Sequence, residues 1–410
     1  MKIGILTYHC VTNFGAQLQT LSTIGYMKKH GHEPIVLNWF PQDLEDFYLR
    51  QCPKEQFDIQ YNFAQSQMPV SKLCRTLDEL CSEIDRQALD AIFIGSDALF
   101  DYFPKSARNP FSYRKLKRIK VNVTSNHDLP NPFWGSFNDK VSQKIPYCGF
   151  SISSQNAPYK KLNRDELIEM KRLLNGFTLI TARDEWTRRM VQYISGREDA
   201  FITPDPVFGF NENFESPLNK DELVEKYGLP SDYILISFYG SQLSDDYINQ
   251  IVELVEKRTG YPCVSFPMPR RLRAFKTKYK IELPLPTLDW YYLIKYSKGY
   301  IGELMHPIIV SIHNSVPFFC FDQYGITKTI IPGFWHKYIK ESSKIYDILE
   351  RADLLQNSIP YFYASTINPQ EVVERFVGFD KNKCSAFSAK QLERYKAGME
   401  KQLSLLENSL

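Results

Sequence analysis

The stretch GELMHPIIV, at residues 302–310, places an acid and a histidine three residues apart where a strand gives way to a helix. The residues KGYI before it are typical of a short strand. The apolar run after Pro307 predicts a helix that begins at this proline, which needs no amide donor there. His306 is then expected at or near the N-cap, beside free amides and the positive end of the helix dipole. A histidine in that position can bind a phosphate or take part in acid–base chemistry. The alternative for His306 is a buried histidine whose hydrogen bonds are made within the core, a description that fits His313 better. Glu303 is the acid whose position beside His306 needs an explanation.

Three further charged residues follow strand-like apolar runs. Asp97 ends AIFIGSD, Arg183 ends FTLITAR, and Asp205 lies between two prolines in ITPDP. Because α/β proteins bind ligands at the carboxyl ends of their strands, all three are candidates for one cleft. The planar cation of Arg183 suits a carboxylate or phosphate, and a salt bridge to Asp184 is the alternative. Asp97 could instead cap the next helix, and Asp205 could instead be a turn-forming residue.

The first strand-to-helix connection, in GILTYHCVTNFGAQLQTL, has residues suited to a ligand. Asn13 and Gly15 permit a tight turn whose backbone amides point outward. A helix N-terminus at the end of a strand attracts anions or sugar hydroxyls, although a plain connecting turn explains the pattern equally well. No Gly-x-Gly-x-x-Gly fingerprint is present, so the sequence gives no sign of a dinucleotide site.

The elements that position these residues alternate between strands and helices, which predicts an α/β fold with mainly parallel sheets. Six strands are predicted before a polar connection near 210–230 and four after it. Two such series predict two Rossmann-like domains that face each other across a cleft. The expected divisions are an N-terminal domain at 1–215 with an excursion at 103–133, a C-terminal domain at 216–380, and a terminal helix at 381–410.

Composition excludes several classes of protein. The 410 residues include 50 Lys and Arg against 47 Asp and Glu, and a net charge of +3 argues against a nucleic-acid binder. No apolar run is long enough to span a bilayer, and the N-terminus is typical of a strand rather than a signal peptide. The eight cysteines stand singly, so neither a zinc site nor a disulfide framework is expected, and a cytoplasmic location fits best.

Several motifs, taken in order, resemble those of the polysaccharide pyruvyl transferase family. They span nearly the whole chain: GILTYH with NFGAQLQ at the start, FIGSD at 93–97, YCGFSIS at 147–153, TARDEWTRRMV at 181–191, DPVF at 205–208, the run from 289 to 322, and SSKIYDILERADL at 342–354. The resemblance implies a GT-B-like fold of two facing Rossmann domains. It also implies transfer of a pyruvyl group from phosphoenolpyruvate to two hydroxyls of a glycan or glycan precursor.

The resemblance also suggests residue roles. Arg183 and His306 match the residues that the family is proposed to use to hold phosphoenolpyruvate, and His306 is the first catalytic candidate. Protonation of the donor's methylene carbon needs an acid, and the sugar hydroxyls need a base, for which Asp97 and Glu303 are candidates. The motif residues expected along the cleft or at the acceptor are His9, Asn13, Gly15 and Asp205. No step requires a metal or a further cofactor.

Two positions depart from the family pattern. Leu304 stands where the family has a basic residue, and Pro307 stands where it has glycine. Another cation must then hold the donor, and Arg270 and Arg271, just past the strand PCVSF, are the candidates. Two other functions stay open: a nucleotide-sugar glycosyltransferase of the same fold, and a diverged member that binds a glycan without catalysis.

The excursion at 103–133 carries a cluster of five basic residues, Arg114, Lys115, Lys117, Arg118 and Lys120. A solvated surface loop is the simpler interpretation. The functional interpretation is contact with an acidic acceptor, such as a lipid-linked diphosphate sugar, at the inner face of the membrane.

Overall fold

The computed structural model describes residues 1–112, 116–121, 123–240, 242–331 and 335–410. Its first sheet has six parallel strands in the order β2-β1-β3-β6-β7-β8. The strands are β1 Lys2–Leu6, β2 Glu33–Val36, β3 Ala91–Asp97, the antiparallel pair β4 Phe111–Ser112 and β5 Lys117–Arg118, β6 Tyr147–Ile152, β7 Ile180–Ala182 and β8 Phe201–Ile202. The helices are α1 Phe14–Lys29, α2 Gln42–Gln51, α3 Lys54–Gln67, α4 Leu77–Gln87, α5 Arg164–Leu174, α6 Glu185–Ser195 and α7 Phe210–Asn213.

The second sheet also has six parallel strands, in the order β11-β10-β9-β12-β13-β16. The strands are β9 Ile234–Ser237, β10 Cys263–Ser265, β11 Tyr279–Lys280, β12 Gly299–Gly302, β13 Phe318–Asp322, the antiparallel hairpin β14 Ile326–Ile331 and β15 Trp335–Ile339, and β16 Ser358–Pro360. The helices are α8 Lys220–Lys226, α9 Asp245–Thr259, α10 Thr287–Tyr296, α11 Met305–His313, α12 Lys344–Arg351, α13 Pro369–Val377 and α14 Lys381–Glu407. The predicted α/β class with two parallel sheets is confirmed, and the unit around each sheet is called a domain below.

Each sheet has one point where the strand order reverses. In the first domain the chain passes from β1 outward to β2 and then returns to place β3 on the other side of β1. In the second domain it passes from β9 through β10 to β11 and returns to place β12 beside β9. Crevices for ligands form outside the carboxyl ends of the strands at such points. The two crevices therefore lie at the loops after β1 and β3 and at the loops after β9 and β12.

Most predicted elements are present, with shifted ends. Helix α4 begins at Leu77, because Thr76 and Glu79 form a capping box there. The helix predicted to begin at Pro307 begins at Met305, so His306 lies inside its first turn rather than at the N-cap. A proline is tolerated in that turn because the first amides of a helix have no carbonyl partner. Two helices, α2 and α3, were not predicted.

The excursion at 103–133 contains short 3₁₀ turns and the β4–β5 pair rather than longer elements. Arg114 and Lys115 of its basic cluster lie outside the described residues. Lys117, Arg118 and Lys120 are exposed, as both interpretations of this segment require. Among the described residues, no helix has the length and apolar character needed to cross a membrane.

Helix α1 is buried by both domains. Thirteen of its sixteen residues are buried, and it packs on β2 and β3 of its own sheet and on α10 and α11 of the other domain. Phe14 stacks on Trp290 of α10 with ring centroids 4.9 Å apart. The Gln17 side chain accepts a hydrogen bond from the Thr287 hydroxyl across the same interface. The N-terminus of α1 is thus fixed against the second domain.

Further contacts that join the domains involve α3 and α14. The side chain of Gln56, on α3, donates to the Leu285 carbonyl at 3.1 Å and accepts from the Leu285 amide at 2.7 Å. Helix α14 returns to the first domain, where Gln402 donates to the carbonyl of Gly149 at 2.9 Å. On the way it also touches the second domain, because Ser388 donates to the carbonyl of His313 at 3.0 Å.

Replacing Gln56 by leucine tests the importance of the first of these contacts. Gln56→Leu keeps the size of the side chain but leaves the buried amide and carbonyl of Leu285 without partners. We expect the free energy of unfolding to fall by about 2 kcal/mol, measured by urea denaturation. Gln65→Leu, at an exposed position of the same helix, should change it by less than about 0.5 kcal/mol. Equal effects of the two changes would show that the Gln56 contact does not stabilise the native state.

Candidate active site

The loops at the two reversal points meet around one cavity of about 350 Å³. The first domain contributes the N-terminus of α1 and the end of β3. The second contributes the loops after β9 and β10, the start of α11 and the start of α12. Six residues of its lining matter most for chemistry: Asn13, Gly15, Asp97, Arg270, His306 and Lys344.

The N-terminus of α1 opens into this cavity. Asn13 is its N-cap, and the side-chain oxygen accepts from the amide of Gly15 at 3.2 Å. Gly15 is required here by a close approach, because a Cβ atom at this position would lie 2.0 Å from Cγ of His306. The imidazole of the second domain therefore lies directly on the first turn of a helix in the other domain. The amides of that turn and the helix dipole favour an anion at the same place.

His306 is enclosed at this junction. Its Nε2 lies 3.4 Å from the side-chain amide nitrogen of Gln19, which is one turn further along α1 than Gly15. Burial lowers the pKa of His306 to about 4, although the nearby carboxylates of Asp97 and Asp205 act in the opposite direction. Without a bound anion, the imidazole is therefore neutral at pH 7. Its charge will depend on what binds beside it, because an anion favours the imidazolium.

Arg183 lies behind the cavity wall rather than in it, and its side chain is 3% exposed. Its Nη1 donates to Oδ2 of Asp205 at 2.9 Å, and its Nη2 lies 3.8 Å from Oδ1 of Asp97. The same oxygen of Asp205 accepts from Gln19 at 2.6 Å, and its other oxygen accepts from the amide of Val207 at 3.0 Å. Arg183 and Asp205 thus form a buried pair that supports Asp97 and α1.

Asp97, in contrast, reaches the cavity. It ends β3 with a φ of 119°, and its Oδ1 accepts from the amide of Ala98 at 2.7 Å. A positive φ is uncommon for an aspartate and marks a position held by its surroundings. Its carboxylate lies on the same cavity as His306 and in the field of Arg183, so Asp97 is the candidate base that the structure brings to the site.

Glu303 is not brought to the cavity. Its side chain is fully buried, and Oε1 accepts from the amides of Tyr239 and Gly240, the latter at 2.6 Å. Burial raises the pKa of Glu303, and these two backbone donors lower it in part. The carboxylate occupies the loop that follows β9, the first strand of the second sheet. Its observed partners are backbone groups, and the catalytic role suggested by its sequence position has no geometry to support it.

His9 is also held away from the cavity. It is 1% exposed, with Nε2 3.0 Å from Oδ1 of Asn38 and Nδ1 3.2 Å from the carbonyl of Thr7. These contacts hold the loop between β1 and α1 in place. Of the four residues predicted for the cleft, Asn13 and Gly15 line the cavity, Asp205 lies behind it, and His9 supports the loop that leads to it.

The two arginines predicted to replace the missing cation separate. Arg270 lines the cavity, with its guanidinium carbon 5.8 Å from the ring centroid of Tyr239. Arg271 is exposed, with its guanidinium carbon 4.7 Å from the centroid of the same ring, and it donates to the carbonyl of Tyr239. Only Arg270 is therefore placed to meet a ligand in the cavity.

Lys344, which the sequence analysis missed, is the second cation of the cavity. Its side chain is 6% exposed, and its Nζ lies 4.4 Å from the ring centroid of Tyr324. Burial lowers its pKa to about 8, helped by the charge of Arg183 and opposed by that of Asp97. In the described part of the chain its ammonium has no hydrogen-bonded or ion-paired partner. The available signal was its place in SSKIYDIL, where Ser343 caps α12.

The arrangement can hold a small dianion. Arg270, Lys344 and the amides of α1 surround one space, with a neutral imidazole and a carboxylate at its edge. Among the residues described, no three His, Cys, Asp or Glu side chains are grouped to hold a metal ion. That the reaction uses neither metal nor cofactor stays a prediction.

Solved structures share this fold at low sequence identity. UDP-N-acetylglucosamine 2-epimerase from Neisseria meningitidis, bound to UDP-GlcNAc, is 11% identical with a TM-score of 0.54, and the alignment covers 100% of both chains. The same enzyme from Rickettsia bellii is 12% identical with a TM-score of 0.54, over 100% of this chain and 96% of that one. UGT89C1 of Arabidopsis thaliana, complexed with UDP, is 10% identical with a TM-score of 0.53, over 99% of each. The predicted GT-B fold is confirmed.

Comparison with curated proteins gives no match. The sequence profile of the polysaccharide pyruvyl transferase family, however, matches residues 13–323. This range holds the α1 N-terminus, Asp97, Arg270 and His306, and it covers most of the chain. The chain therefore belongs to the polysaccharide pyruvyl transferase family.

Proposed function

We propose that this chain transfers a pyruvyl group from phosphoenolpyruvate to two hydroxyls of a saccharide, forming a cyclic ketal and releasing phosphate. The observation that carries the proposal is the convergence of His306, Lys344, Arg270 and the N-terminus of α1 on one cavity, with Asp97 beside them. Family membership supports a transferase, and the cavity supports a donor that carries two anionic groups.

The donor would be held by charge. Phosphoenolpyruvate carries a carboxylate and a phosphate, and the cavity offers the Lys344 ammonium, the Arg270 guanidinium and the amides at the start of α1. Charged hydrogen bonds of this kind are stronger than neutral ones and gain further in a site that excludes water. Lys344 and Arg270 together replace the cation that the family has where this chain has Leu304.

The protons would move between three partners. The bound anion raises the pKa of His306, which becomes the acid that protonates the methylene carbon of the donor. The central carbon then carries positive charge and is attacked by a sugar hydroxyl, whose proton passes to Asp97. The bond to phosphate breaks, and the second hydroxyl closes the ketal as its proton leaves with the phosphate. One proton enters the new methyl group and two leave the sugar.

Arg183, Asp205 and Gln19 would act through other residues. Asp205 holds the Gln19 amide that lies against His306, and Arg183 places a fixed positive charge near Asp97. These three residues are positioning residues in the proposal, and none of them lines the cavity.

A nucleotide-sugar donor, the alternative enzyme function, is disfavoured by Glu303. In Rossmann domains the loop after the first strand binds phosphate through its backbone amides. In the second domain this loop contains Tyr239 and Gly240, whose amides already bind the buried carboxylate of Glu303. A diphosphate at that loop would meet amides that are already occupied in place of free donors. The non-catalytic alternative predicts no turnover and is separated from the proposal by the assay below.

The acceptor in this proposal is a glycan or a lipid-linked precursor in the cytoplasm, at the inner face of the membrane. The β4–β5 segment exposes three basic residues, Lys117, Arg118 and Lys120. The adjacent Leu116 is 78% exposed, so this basic surface also carries an apolar residue. Such a surface suits anionic headgroups, at about 1 kcal/mol for each cation near the membrane. Nucleic acid is not part of the proposal.

The proposed activity is tested by incubating the protein with phosphoenolpyruvate and a panel of saccharides and lipid-linked sugars. We expect phosphate release together with a mass gain equal to one pyruvyl ketal in the acceptor. His306→Ala and Asp97→Asn should abolish both signals while the fold is retained. Donor binding without any product, across the whole panel, would favour the glycan-binding alternative.

Arg270 and Arg271 form a matched pair for testing donor binding. Phosphoenolpyruvate at one hundred times its dissociation constant should stabilise the parent protein by about 2.7 kcal/mol, which thermal denaturation detects as a higher melting temperature. Arg270→Ala should weaken binding by about 1.5–3 kcal/mol because a charged partner is lost. Arg271→Ala should leave the parent's shift intact. A parent protein that shows no shift at millimolar phosphoenolpyruvate would contradict the donor assignment.

Lys344 makes a prediction about pH. Its pKa of about 8 means that the protein without donor loses a cation above that pH, so donor binding must then take up a proton at Lys344. Lys344→Arg keeps its charge and therefore retains only the pH dependence of the other groups, including His306. Relative to this variant, the dissociation constant of phosphoenolpyruvate for the parent should rise by up to about tenfold per pH unit above pH 8. Calorimetric titration from pH 7 to 9.5 measures both, and parallel curves for the two proteins would rule out the assignment.

A further inference from the structure

Three aromatic rings form a surface cluster beside the cavity, and the site described above does not use them. Tyr338 of β15 lies 6.4 Å from Phe362 in a stacked arrangement and 6.0 Å from Tyr363, and the rings of Phe362 and Tyr363 are 4.9 Å apart at a steep angle. Phe362 is 44% exposed and Tyr363 is 41% exposed. Large apolar groups that gather on a surface in this way mark binding sites more often than isolated ones do.

The strand order places the cluster at the same edge of the second sheet as the cavity. Strands β13 and β16 are parallel neighbours with Asp322 opposite Pro360, so the segments after both strands leave the sheet at the edge that carries His306. The Tyr338 hydroxyl donates to Oδ2 of Asp322 at 3.4 Å, and Tyr324, two residues further along the chain, lines the cavity.

A second contact fixes the other half of the cluster. Tyr361, which precedes Phe362, lies against Gly240, where a Cβ atom would be 2.9 Å from the Tyr361 hydroxyl. Gly240 is the neighbour of Tyr239, another residue of the cavity lining. The three rings are thus attached on both sides to segments that enclose the donor space, yet none of them lines that space.

We propose that Tyr338, Phe362 and Tyr363 form a binding surface for the sugar units next to the unit that is modified. The proposal rests on the proposed function and deepens it, since it assigns the acceptor to saccharide chains rather than free monosaccharides. A sugar ring presents an apolar C–H face and polar edges. The exposed ring faces of Phe362 and Tyr363, backed by the ring of Tyr338, match the apolar face, and the Tyr363 hydroxyl can serve the polar edge, as in other amphipathic contacts of tyrosine.

The position of the cluster sets the expected dependence on chain length. A single sugar unit that reaches Asp97 and His306 lies within the cavity and does not extend to rings outside its lining. A longer chain extends past Tyr324 or Tyr239 to the rim. The cluster should therefore contribute to the binding of oligosaccharides and contribute nothing to the binding of monosaccharides.

The test uses the full chain without donor and a length series of probes. These are β-1,4-linked saccharides of glucose, galactose and N-acetylglucosamine, from one to six units, titrated by calorimetry and by intrinsic aromatic fluorescence. We expect the parent to bind at least one hexasaccharide more tightly than its monosaccharide. The double variant Phe362→Ala, Tyr363→Ala should lose about tenfold in affinity for that hexasaccharide, on the scale of aromatic contacts, with monosaccharide binding unchanged.

Two controls separate the cluster from general effects. Tyr193→Ala removes a tyrosine that is 54% exposed on α6 of the first domain and should bind the hexasaccharide as the parent does. Tyr363→Phe keeps the ring and should retain most of the affinity. Melting temperatures of all variants report on folding, and their shift with phosphoenolpyruvate reports on the donor site separately.

Three outcomes would overturn the proposal. The first is a parent protein that binds no hexasaccharide more tightly than the corresponding monosaccharide. The second is an equal loss of hexasaccharide affinity in the double variant and in Tyr193→Ala. Light scattering could also show a parent dimer that the double variant converts to monomer, which would assign the cluster to contact between two copies of the chain. A normal thermal shift with phosphoenolpyruvate in any of these cases would leave the proposed function standing.

Discussion

The burial of α1 between the two domains is the constraint on which the rest of the structure depends. A helix that packs on a sheet normally has one polar face in water, but here most residues of α1 are buried, including Gln17 and Gln19. Buried amides of this kind must find partners, and they find them in Thr287 and Asp205. The hydrogen bonds fix the depth and rotation of the helix. Its first turn is thereby held against His306, closely enough that residue 15 must be glycine.

The sequence contains enough information for the sheets and for part of the site. Parallel strands buried on both faces are continuous apolar runs, so β3, β6, β12 and β13 were visible from composition and turn residues alone. The carboxyl ends of such strands form the ligand edge, which is why Asp97, Arg183 and His306 were selected. The same rule cannot tell whether a side chain points into the crevice or behind it. Arg183 and Glu303 satisfy the rule and lie outside the lining, because buried partners in the fold hold them there.

Lys344 shows a different limit. The residue lies at the cavity beside Tyr324, but the β14–β15 hairpin separates the two in sequence. The contact of Lys344 with the cavity is long-range in the sequence, so the periodicity of neighbouring residues does not predict it. Helix α3 was missed for a related reason, since two of its four buried residues, Gln56 and Gln60, are not apolar, and Gln56 pairs with Leu285 of the second domain. Side chains that pair across a domain interface follow the geometry of that interface rather than helical periodicity.

The GT-B fold by itself does not determine which donor is used. Structures with this fold include an epimerase bound to UDP-GlcNAc and a plant protein complexed with UDP. Under the proposed function, the choice in this chain rests on a few side chains: the carboxyl group of Glu303 placed on the amides after β9, and the two cations of Arg270 and Lys344 placed around the start of α1. A change of donor on this fold thus needs a change in the group that binds the backbone amides after the first strand, and only small changes in the strands themselves.

The paired hydrogen bonds between Gln56 and Leu285 have a consequence for the kinetics of turnover. They hold the domains together on the side of α3, and under the proposed function ligands would then exchange through the mouth of the cavity rather than through a wide opening of the cleft. A donor seated against α1 lies below any saccharide that covers the mouth. Under the proposed function, binding is then compulsory in order: phosphoenolpyruvate enters first, the acceptor second, and the modified saccharide departs before phosphate. Excess acceptor would trap the empty protein as a dead-end complex and inhibit the reaction in competition with the donor.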